Sequence, residues 1–166
     1  MQAVKKIFGG LILLVLAIGL VAVPQPASSN SQQAMPAMDM PQSGANEPVP
    51  SFHSQPPTDA LPPTMNPQAF DQPLIMNAYT VAARIKKVLY QEPCYCHCDR
   101  SQGHGSLLDC FVSKHGSGCD ICINEAFYSS EQTHKGKTPA QIRAGIIKGE
   151  WQSVDTGKYS TPLPSK

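Results

Sequence analysis

Residues 74–98 read LIMNAYTVAARIKKVLYQEPCYCHC, and the character of the chain changes at Pro93. Before the proline, Ile75, Ala78, Tyr79, Ala82, Ile85 and Leu89 recur at helical spacing and share one face. Lys86 is the exception on that face, its stem able to lie along apolar surface while its ammonium reaches water. The pattern predicts one amphipathic helix over residues 74–90, ended by Pro93, whose ring disfavours helical backbone in the residue before it. After it, PCYCHC places Cys94, Cys96 and Cys98 on alternate residues with His97 between the last two.

The chain downstream reads as helical as well. Ser106 with Asp109 three residues on resembles a capping box and predicts a short helix over residues 106–114, burying Leu107, Leu108 and Phe111 with Cys110 on its inner side. Gly116-Ser117-Gly118 interrupts it, and Gly103-His104-Gly105 reads as a turn. A third helix over residues 119–134 carries Cys119, Cys122, Ile123 and Ala126 on one face, which aims its CxxC pair inward. The fourth opens on Thr138-Pro139-Ala140-Gln141, an N-cap threonine, a proline at the first helical position and a glutamine at the third, and buries Ile142 and Ile146. Trp151 closes the unit. The expected fold class is therefore all-α: a small four-helix, cysteine-rich domain over residues 74–155, with a disordered polar tail over 156–166.

The N-terminal half has a different composition. Lys5 and Lys6 precede an uncharged apolar run of 17 residues, 7–23, which reads as an export signal. Pro24 directly after the run makes a poor cleavage context, and the length fits a short membrane-spanning helix, so residues 1–23 are expected to be a signal peptide or an uncleaved signal anchor. The lysines place the chain beyond residue 24 outside, in the cell envelope, tethered to the cytoplasmic membrane and facing the periplasm or the extracellular space. Residues 24–73 hold 12 of the 16 prolines and show neither helical nor strand periodicity, as a disordered tether reaching roughly 40 Å would. Within it Met35, Met38 and Met40 are soft thioethers, weak support for copper.

The sequence PCYCHC after an amphipathic helix, then LLDCF, CDIC and GKTPAQIRAGIIKGEW, resembles the bacterial PCYCGC-motif family, also called CYCXC proteins, over residues 76–152. The resemblance implies an exported or lipid-anchored domain and names no reaction. In some of these proteins selenocysteine takes the place of a cysteine. His97 stands where the family motif has glycine, which adds a candidate ligand, and no cysteine precedes Cys94, which removes a lipid-anchor site.

Six cysteines in an exported domain of some 80 residues leave three chemistries open. A metal centre is the first: Cys94, Cys96, Cys98, Cys110, Cys119 and Cys122, with His97 and His115, offer soft ligands suited to copper or zinc. The spacing C-x-C-x-C-x11-C-x8-C-x2-C matches no common zinc-finger pattern. Thiol–disulfide redox chemistry is the second, with Cys119 at a helix N-terminus attacking and Cys122 resolving. A framework of three disulfides, stapling the helices to one loop, is the third. The expected function is binding or delivery of a soft metal to a receiving partner, with a thiol partner in the redox alternative. A net charge of +1 without a basic stripe excludes nucleic acid as an expected partner. No hydrolytic triad or phosphate-cradling loop is present, so any enzymatic role is that of a thiol–disulfide oxidoreductase.

Overall fold

The computed structural model describes residues 47–164. Among them no strand forms, and six α-helices appear: α1 Pro73–Arg84, α2 Lys86–Leu89, α3 Cys98–Ser101, α4 Asp109–Val112, α5 Asp120–His134 and α6 Pro139–Ile147. The expected export signal, the first part of the tether and Met35, Met38 and Met40 lie outside the described residues. No helix of the described part is long and apolar enough to cross a membrane.

Helix α5 runs through the middle of the domain. Cys122, Ile123, Glu125, Ala126, Phe127, Tyr128, Ser129, Ser130 and Gln132 are all buried, and a helix buried on so much of its circumference must have neighbours on several sides. On one side Ala126 and Phe127 join Ala78, Tyr79 and Ala82 of α1, together with Leu89, Leu107, Leu108 and Phe111. On the other, Tyr128 meets Ile142 and Ile146 of α6 and Trp151. α6 starts as its sequence predicts: the Thr138 hydroxyl accepts from Gln141 N and the Gln141 side chain accepts from Thr138 N, a complete capping box.

Two expected helices are shorter than predicted. The helix over 74–90 divides at Ile85 (φ −115°, ψ 29°) into α1 and α2. No proline or glycine marks the division. Past it, Leu108 N donates to Leu89 O (3.3 Å) and Leu107 N to Glu92 O (2.9 Å), so the end of this segment is fastened to the chain before α4 instead of continuing its own ladder. The helix over 106–114 contracts to α4, with a 3-10 turn Lys114–Gly118 after it. Half of its cap is present: Asp109 Oδ2 accepts from Gly105 N (2.7 Å) and Ser106 N (3.2 Å), while the buried Ser106 hydroxyl has no partner.

The described part of the expected tether, 47–73, touches the domain at several points. Leu61, Met65 and Phe70 lie against the core, Pro50 is fully buried, and Met65 N donates to Phe111 O at 2.9 Å. The tail is held too: Asn77 Nδ2 donates to Tyr159 O and Thr161 O, Leu163 N donates to Asn77 Oδ1 (2.9 Å), and Tyr159 stacks on Phe127 at 3.6 Å. Proline-rich chain without periodicity builds no core alone, but it can lie on one that helices supply, provided its backbone groups find partners such as Asn77.

Candidate metal centre

Pro93 delivers the chain into a tight turn in which His97 N donates to Cys94 O at 3.1 Å and Tyr95 N donates to the buried carboxylate of Glu125 on α5 at 2.8 Å. Cys94 and Cys96 turn inward together, their sulfurs 3.2 Å apart. His97 then takes φ 55°, ψ 38°, the left-handed region, and α3 begins at the buried Cys98. This is a conformation in which a residue with a Cβ is strained and glycine is not. The glycine of the PCYCGC motif falls at this position. The same turn carries the imidazole away from the sulfurs: His97 Nε2 is 3.3 Å from Glu47 Oε1 and Nδ1 is 3.9 Å from Asp99 Oδ1. His97, an expected ligand, is in neither of the groups of mutually close ligand atoms.

The remaining sulfurs arrive from other elements. Cys110 comes from α4 and Cys122 from the first turn of α5, both fully buried. Cys122 Sγ lies 3.4 Å from Cys94 Sγ and 3.5 Å from Cys96 Sγ, and Cys110 Sγ lies 3.8 Å from Cys94 Sγ and 3.7 Å from Cys98 Sγ. Cys94, Cys96, Cys98, Cys110 and Cys122 together place all five sulfurs within 4.8 Å of one another. Cys119, the half-buried N-cap of α5, stands at the edge of this group beside Cys96 and Cys122. All six cysteines are free. Their separations are far from the roughly 2.05 Å of a disulfide, so the three-disulfide framework is not what the sulfurs form. They are near the edge of about 3.8 Å that four sulfurs make around an ion at about 2.3 Å.

Two histidines border the sulfurs. His115, an expected ligand, has Nε2 at 2.9 Å from Cys98 Sγ. His104, read from sequence as part of a turn, has Nδ1 at 3.3 Å from Cys110 Sγ. Cys98, His104, Cys110 and His115 form a second group within the same 4.8 Å limit. The signal for His104 was its place midway between Cys98 and Cys110 on a loop that Gly103 (φ 69°) turns back on itself, bringing His104 N to Cys98 O at 3.3 Å.

Protons are shared unevenly among these groups. Hydrogen bonding with the surrounding thiols, Cys110 first, holds Cys96 below the ordinary thiol range. Cys94 and Cys122 are pushed up, chiefly by hydrogen bonding with Cys110, and Cys98 is pushed up chiefly by burial. Cys119 is raised as well. Behind the loop, burial raises Glu125 to about 8. Burial also raises Glu92 to about 9, with Arg143 opposing and Glu125 adding. A cation can replace the protons of such a cluster, since cysteine ligands bind metal after deprotonation.

The family described as "Protein of unknown function with PCYCGC motif" matches residues 55–164. No curated protein and no solved structure matches the chain.

Proposed function

Since the chain belongs to the PCYCGC-motif family, whose motif supplies three of the clustered sulfurs, we propose that this domain binds a soft metal ion, copper or zinc, and presents it outside the cytoplasmic membrane to a receiving partner. The observation that carries this reading is the convergence of five free cysteine sulfurs within 4.8 Å. Thiolates brought this close repel one another unless a cation they share offsets their charge, and a soft cation is the group that thiolates bind best. Cys96 and Cys119 are half-buried while Cys94, Cys98, Cys110 and Cys122 are buried, so the centre has an accessible rim over a closed floor. Such a rim suits transfer of an ion to the thiols of another protein. The two lysines and the apolar run 7–23 support a membrane tether, and part of its described stretch, Leu61, Met65 and Phe70, lies on the domain.

Metal content of the full chain decides the matter. Native mass spectrometry of protein prepared with reductant and loaded with Zn2+ or Cu+ should show bound metal, and Cys94→Ser, Cys96→Ser and Cys98→Ser should each lower it. Replacement of Met35, Met38 and Met40 should leave it nearly unchanged. Full metal content in a variant lacking all three motif cysteines refutes the assignment. For the tether, a soluble mature product with its N-terminus near Ser28 on cell fractionation refutes the anchor.

A further inference from the structure

Eight ligands surround the centre, twice what one tetrahedral ion uses. We propose that the domain holds two ions side by side: one of the Zn2+ class bound by Cys98, His104, Cys110 and His115, and one bound by Cys94, Cys96 and Cys122 with Cys119 as fourth ligand. This rests on the metal-binding reading above and adds the count, the division of ligands and a role for His104.

The division comes from the distances. Cys98 Sγ to His115 Nε2 is 2.9 Å, His104 Nδ1 to Cys110 Sγ is 3.3 Å and Cys98 Sγ to Cys110 Sγ is 3.7 Å, with the two imidazole rings edge to face at 5.1 Å. Two thiolates and two imidazoles in a compact group form a donor set of the Cys2His2 kind that Zn2+ takes. The Cys94, Cys96 and Cys122 sulfurs make a separate triangle of 3.2, 3.4 and 3.5 Å. Cys119, the N-cap of α5 three residues before Cys122, is the remaining cysteine and stands outside the histidine-bearing group. An all-sulfur set favours a softer ion than the mixed set does.

The histidine side is built rather than incidental. The backbone carbonyl of Ser113, at the cap of the His115 turn, accepts from the hydroxyl of buried Tyr79 at 2.7 Å, and Ser113 Oγ accepts from His115 N at 3.2 Å. Gly116, next to His115, packs so closely that a Cβ there would stand 2.8 Å from Cys110 O. The turn bearing His115 is thus pressed onto the helix bearing Cys110. On the other flank Asp109 Oδ2 pins the backbone of Gly105 and Ser106, directly after His104.

The test is ion counting in the full chain, reduced and loaded with Zn2+, then read by native mass spectrometry. Two ions are expected per chain. The double variant His104→Ala, His115→Ala should retain one, and Cys119→Ser, Cys122→Ser should retain one. Co2+ in place of Zn2+ provides a second readout, since a His115→Cys variant should still take two ions while its visible bands move to lower energy as thiolate replaces imidazole. The far-UV helix signal of each variant shows whether it has folded. Saturation at one ion in the parent chain, or two ions in the folded His104→Ala, His115→Ala variant, overturns the two-ion proposal while leaving metal binding intact. Absence of any ion in the folded parent chain overturns both.

Discussion

Two sides of α5 are held in opposite ways. On the side along which α6 returns, Ile142, Ile146, Tyr128 and Trp151 close an apolar cluster with Ile121 and Tyr95 against it, and Tyr128 Oη donates to Glu150 Oε2 at 2.5 Å. On the sulfur side the chain is made of turns and the four-residue helices α3 and α4, with Glu92 and Glu125 buried behind them and three of their four carboxyl oxygens without a partner. The first side is closed mainly by apolar packing and the α6 cap, with the Trp151 indole N–H buried without a partner. On the second, ionisable groups are buried without enough partners, which is costly unless something satisfies them. A ligand would therefore contribute more stability on the sulfur side than on the other.

The largest effect expected from this contrast is that of metal removal. Binding coupled to folding contributes on the order of 10 kcal/mol in small zinc domains, so chelation of the loaded protein should sharply raise amide exchange over residues 93–118. Residues 139–151 should keep most of their protection. Equal loss on both sides would mean that they form one cooperative unit and that the contrast between them has no energetic content.

Next in size is Gly145→Ala. A Cβ at this buried position in α6 would overlap Tyr128 Oη and stand 2.7 Å from Glu150 Oε2. Overpacking of this kind costs about 1–3 kcal/mol, seen as a lowered midpoint in chemical denaturation, with metal content unchanged. Thr138→Ala should cost about 1 kcal/mol by removing the capping box, again without effect on metal. If either variant loses metal, the two sides are coupled more tightly than their packing indicates.

The smallest effect belongs to His97→Gly. Relief of the left-handed backbone favours the variant by about 1 kcal/mol, and loss of the half-exposed contact with Glu47 subtracts less than that. A gain of a few tenths of a kcal/mol with unchanged metal content is expected. A fall in metal content would reinstate His97 as a ligand.

How much of this was legible varies with the range of the interactions. The Thr138 cap, the buried edge of Ile142 and Ile146, and the inward face of Cys122, Ile123 and Ala126 rest on contacts within one or two helical turns, and each is found where its residues predicted. Beyond Ile85, the carbonyls of Leu89 and Glu92 are held by the backbone of Leu108 and Leu107, distant in sequence, which the periodicity of residues 74–90 does not show. The same holds for residues 47–73 and 156–164, whose composition describes what they cannot do alone and not what they can lie upon. At the site, the alternating cysteines announced themselves, while His104 was concealed between two glycines.

A helical domain, six cysteines committed to thiol chemistry, and a first helix stopped by proline before PCYCHC were all settled at the level of sequence. Periodicity, caps and residue chemistry act over a few residues, and a chain carries them wherever it goes. Which side chains meet was settled in three dimensions. The left-handed turn at position 97 sends His97 out to Glu47 and Cys98 in, and the close seat of Gly116 on Cys110 brings His115 to Cys98. A side chain's neighbours depend on one backbone angle and on packing between segments far apart in sequence, and neither is written in the spacing of the ligands.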